Sequence, residues 1–61
     1  MNALATRIAR MSTAQIRAAV LVIGGGNVDQ ERRAVRYYLL NEFEARMGED
    51  AADALLEQLG M

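Results

Sequence analysis

The sequence predicts an all-α domain, a small bundle of three or four helices around one long helix at about 28–47, completed by dimerisation. Three observations carry that prediction. The segment 27–47 repeats apolar residues at helical spacing. Capping residues and glycines mark where helices start and stop. Finally, a chain of 61 residues that is 52% apolar, without cysteine, histidine or proline, holds more aliphatic surface than four short helices readily hide.

The long helix comes first because the rest is arranged on it. Val35, Leu39, Leu40, Phe43 and Met47 fall at i, i+4, i+5, i+8 and i+12, one apolar stripe on a 3.6-residue period. Asn27, with Gln30 three residues on, predicts the N-terminal cap, and Gly48 stands where a left-handed residue ends the helix. Asp29 and Arg33, then Glu42 and Arg46, form i, i+4 pairs with the acid first, which places them on the outer side as mutual support.

Before it, Ala3–Met11 reads as a short helix with Leu4, Ile8 and Met11 on one side. Ser12 followed by Gln15 is a capping box, so a new helix begins there and runs over 13–23. Its second half, Ala18–Ile23, is apolar all round and would also suit a strand paired with a second chain. The capping box and the lack of a partner strand in this chain favour helix, with these residues at the centre of the assembly. Gly24, Gly25 and Gly26 then end the element, because three glycines cost too much backbone entropy to remain helical. After Gly48, Asp50 predicts the cap of a last helix over 51–59, with Ala52, Leu55, Leu56 and Leu59 along one face. No repeat or linker divides the chain, which reads as a single domain, 1–61.

Composition narrows the chemistry. Without cysteine or histidine there are no disulfides, thiolates or common zinc sites, so association with another chain is the remaining way to supplement a small core. All seven basic residues are Arg, a uniformity that codon bias explains better than local selection. Residues 1–36 carry six Arg against Asp29 and Glu31, a net of +4, whereas 37–61 carry Arg46 against six acids, a net of −5. A chain so polarised neutralises itself by folding back or by pairing antiparallel with a copy of itself. The longest apolar run, Ala18–Ile23, falls far short of the roughly 20 residues of a membrane span, and Arg7, Arg10 and Arg17 interrupt any signal-like region. The expectation is a cytoplasmic protein with no membrane partner.

Four stretches invite a functional reading. Val20–Val28, VLVIGGGNV, resembles in outline a dinucleotide-binding turn, but Asp29 stands at the third glycine position and no βαβ context follows, so a flexible helix–helix connection is the better reading. Arg32, Arg33 and Arg36 follow a helix and a glycine turn, the outline of a helix-turn-helix, and suggest a dimeric DNA-binding regulator. Against that stand a calculated pI of 5.2 and the acids Asp29 and Glu31 at the same helix start. Glu49, Asp50 and Asp53 suit a helix N-terminus better than a cation site. Tyr37 and Tyr38 point to different sides of the helix, so one is available as a contact residue.

Catalysis has little to draw on, since no His, Cys or Lys supplies a base or nucleophile and Ser12 serves as a cap. No cofactor or metal is expected. The preferred expectation is a small protein–protein interaction module, of adaptor or inhibitor type, that self-associates as a homo-oligomer, with Tyr37, Tyr38, Arg32, Arg33 and Arg36 as interface candidates. Nucleic-acid binding is the alternative.

Overall fold

Four helices make up the computed structural model, which describes residues 2–61: α1 (Ala3–Ala9), α2 (Thr13–Ile23), α3 (Gln30–Met47) and α4 (Glu49–Gln58). Among these residues there is no strand, so 18–23 is helix and not an intermolecular β element. The other three helices all pack on α3. The all-α expectation with a central long helix is what the chain adopts. Its radius of gyration, 10.8 Å, is that of a closed globule of this length, about 10.5 Å.

Each helix contributes to one core: Ile8 from α1, Ile16 and Val20 from α2, Leu39 and Phe43 from α3, Ala52 and Leu55 from α4. Ile16 and Val20, and Leu39 and Phe43, are i, i+4 pairs and Ala52 and Leu55 an i, i+3 pair, so the core follows directly from the apolar stripes. The amphipathic stripe of α3 is shorter than its sequence implies. Met47 is 54% exposed, so the buried part of the stripe ends at Phe43.

The predicted break at Ser12 is present in full. Ser12 Oγ accepts from the Gln15 N–H at 3.1 Å, and Gln15 Oε1 accepts from the Ser12 N–H at 2.8 Å. Helix α1 ends earlier than predicted, at Ala9, and is capped by the Asn2 side chain, which accepts from Leu4 N–H at 3.0 Å.

The start of α3 differs from the prediction by two residues and by its cap. Asp29, not Asn27, is the N-cap, and its carboxylate accepts from the Arg32 N–H at 2.8 Å. A carboxylate both satisfies the free donor and opposes the positive end of the dipole, which an amide does less well. Having taken that role, Asp29 makes no ion pair with Arg33; the one ion pair among the described residues is Glu42–Arg46 at 2.8 Å. Helix α4 starts at Glu49 rather than Ala51. Gly48, with φ +93°, is at once the C-cap of α3 and the N-cap of α4, which leaves Asp50 inside the first turn instead of capping it.

The glycine turn is packed, not a loose connection. Gly24 and Gly26 adopt φ of +75° and +77°, where other residues are strained. Gly25 is held for a different reason: a Cβ there would lie 2.4 Å from the Leu59 carbonyl oxygen at the end of α4. Arg36 completes the turn from inside. Its guanidinium, on a residue 7% exposed, donates to the Gly24 carbonyl at 2.9 Å and to the Gly26 carbonyl at 3.3 Å.

Of the apolar run 18–23 only Val20 is buried, and Val22 is 87% exposed. The run therefore does not occupy the centre of the molecule. Helix α2 packs on α3 and turns its Val22 side to solvent.

Candidate interaction surface

The outer side of α3 gathers three of the five residues singled out in the sequence. Tyr37 is 62% exposed, and its ring meets that of Tyr38 edge-on, with centroids 5.8 Å apart and planes at 78°. Tyr38 is half-buried and packs on the core, so the two neighbours divide as their positions on the helix require. With Gln30, Arg33 and Ala34 they line an open hollow of about 520 Å³. Across Tyr38 lies a second hollow of about 350 Å³, bounded by Asn41, Glu42 and Ala45 of α3 and by Ala5 and Ile8 of α1. The tyrosines thus form a ridge between two depressions on one helix face.

The other two residues stand apart. Arg32 is exposed but lines neither hollow, and its backbone N–H serves the Asp29 cap. Arg36 lies inward on the glycine turn. Gln30, Ala34, Asn41 and Ala45 belong to this face and were not singled out from sequence. Their spacing of three and four residues from one another and from Tyr37 is the signal that marks them.

A second surface is apolar. Leu4 of α1, Met11 of the α1–α2 corner, Ala19, Val22 and Ile23 of α2, and Val35 of α3 flank a groove of about 390 Å³ floored by Ile8 and Leu39, with Arg7 as its one charged lining residue.

Charges across the fold are left largely unpaired. Among the described residues neither the basic residues Arg7, Arg10, Arg17, Arg32 and Arg33 nor the acids Glu44, Glu49, Asp50, Asp53 and Glu57 form an ion pair. Arg17 reaches only the neutral Gln58 side chain, at 3.0 Å. Folding back therefore brings few of the opposite charges into direct contact.

The arrangement offers hydrogen-bonding, aromatic and cationic groups on an open face. Among the described residues no group of three His, Cys, Asp or Glu could hold a metal ion. No helix among them is long and apolar enough to cross a membrane. Comparison with protein-family models, with curated proteins and with solved structures gives no match.

Proposed function

We propose that this chain is a small non-catalytic protein–protein interaction module that self-associates and occupies a surface on a partner macromolecule. The observation that carries the reading is the exposure of large apolar side chains on two separate faces, Tyr37 at 62% and Val22 at 87%. Withdrawing a side chain such as Val22 from water contributes about 1.5–3 kcal/mol, a gain that the isolated chain forgoes. Tyrosine flanked by arginine is also the composition favoured at interface centres, because both give large contact area with directed hydrogen bonds.

Sedimentation at micromolar concentration tests the self-association. The expected mass is about twice the 6.7 kDa of the chain, and a folded monomer there would overturn the reading. A pull-down with wild type and with Tyr37→Ala or Tyr38→Ala tests the partner: the expected outcome is a protein retained by the wild type and lost with a tyrosine variant.

Binding to DNA has less support. Arg32 and Arg33 are exposed at the start of the second helix of a helix–turn–helix outline, but the Arg36 guanidinium is committed to two carbonyls of the turn. A mobility shift with duplex DNA at low salt separates the readings, since phosphate contacts weaken steeply as salt rises.

A further inference from the structure

We infer that the outer face of α3 is the self-association surface, and that a second copy of this chain packs on it antiparallel about a two-fold axis near Leu39. The inference rests on the self-association proposed above and specifies its geometry.

The face is self-complementary in charge, size and register. At 100° per residue, Gln30, Tyr37 and Asn41 run along the middle of the exposed stripe, Arg33 and Glu44 along one edge, and Ala34 and Ala45 along the other. All seven residues are exposed. A two-fold axis across the helix reverses the order of residues while keeping each edge against the same edge of the copy. Arg33 then meets Glu44 of the second copy, Ala34 meets its Ala45, and Tyr37 meets its Asn41. The midpoints of these three pairs fall within about half a residue of Leu39, so one axis serves all of them.

Each pairing answers a feature of the single chain. Neither Arg33 nor Glu44 has an ion-pair partner among the described residues. The two lie roughly 16 Å apart along α3, too far to reach each other, yet opposite in sign at mirrored positions. Ala34 and Ala45 leave room for helix backbones to approach on the edge where Tyr38 stands between two hollows. The Tyr37 ring, standing clear of the surface, projects from the ridge toward the depression on the copy that Asn41 and Ala45 border.

Charge exchange in sedimentation equilibrium tests the arrangement. Each of Arg33→Glu and Glu44→Arg replaces two attractive pairs per dimer by two repulsive ones and is expected to weaken dimerisation roughly tenfold. The variant carrying both changes restores the pairs with signs reversed and should recover wild-type affinity. Far-UV circular dichroism of each variant checks that the monomer fold is intact. A wild-type dimer indifferent to both single reversals overturns this interface and leaves self-association standing; a monomeric wild type overturns both. An independent readout uses Ala34→Cys and Ala45→Cys under oxidising conditions. Cα atoms about 16 Å apart cannot be bridged within one chain, so the doubly substituted chain should form covalent dimers while neither single variant does. Covalent dimers from a single variant, or none from the double, would overturn the antiparallel register.

Discussion

The Arg46 guanidinium donates to the Met11 carbonyl at 2.7 Å, across 35 residues of chain. It also donates to the Ala9 carbonyl at 3.1 Å, to the Ile8 carbonyl at 3.4 Å and to Thr13 Oγ1 at 3.3 Å, while Glu42 holds its Nε at 2.8 Å. The Ile8 and Ala9 carbonyls close α1, where a helix end carries negative partial charge, and the Met11 carbonyl lies in the corner before α2. Helix α1 has only seven residues, far below the roughly 12–15 at which an isolated helix is even marginal. Arg46 therefore holds α1 to α3 and joins the α1–α2 corner to both. Replacing Arg46 by Ala should destabilise the fold by about 2–3 kcal/mol, because bonds to a charged donor are lost together with their geometry. Urea denaturation measures it, and an unchanged midpoint would refute the role. Arg46→Lys should recover only part, since an ammonium cannot reproduce the planar fork.

The buried Arg36 leads to a contrast along the same helix. Arg36→Leu leaves the Gly24 and Gly26 carbonyls without their donor and should cost about 1–3 kcal/mol in thermal or urea unfolding. Arg32→Ala and Arg33→Ala, on exposed side chains, should each stay within about 0.5 kcal/mol of wild type in the monomer. Equal effects at the three positions would mean that the guanidinium of Arg36 contributes nothing to the turn.

The division between these arginines also marks what a sequence can disclose. The Ser12–Gln15 box, the extent of α2 and the stop at Gly48 were legible because each depends on residues within four positions of one another. The tyrosine face was legible in part, since Tyr37, Tyr38 and Arg33 share one stretch of helix. Arg36 and Arg46 were not, for an inward and an outward arginine differ only in where a distant carbonyl lies. Asn27 and Asp29 are both good caps, and residue type alone does not say which of two caps two positions apart takes the role. Val22, in a run expected at the centre of the assembly, is exposed in the single chain, because an apolar run says how much surface needs covering, not whether this chain covers it.

Two glycines of one turn separate strain from crowding. Gly26→Ala meets nothing within 4 Å but must hold φ at +77°, at a cost of about 1–2 kcal/mol. Gly25→Ala has no such dihedral problem, yet its Cβ would fall 2.4 Å from the Leu59 carbonyl oxygen, and a backbone atom cannot swing aside. The turn and the end of α4 must part, which should cost about 1–3 kcal/mol and loosen α4. Amide hydrogen exchange distinguishes the two substitutions. Faster exchange in the last turn of α4 is expected for Gly25→Ala alone, and the same pattern in Gly26→Ala would show that the close approach is not what constrains Gly25.

The cap of α3 gives the last prediction. Asp29→Ala removes both the acceptor for the Arg32 N–H and a negative charge at the positive end of the 18-residue helix, and should cost about 1 kcal/mol. Asp29→Asn keeps the acceptor and loses the charge, so a few tenths of that cost should remain, more visible at low salt. Asn27→Ala should be nearly silent, because its side chain is exposed and makes no hydrogen bond to the helix. Chemical denaturation of the three variants side by side decides the matter. If Asn27→Ala proved the costlier change, α3 would begin two residues earlier in solution, with Asn27 and not Asp29 as its cap.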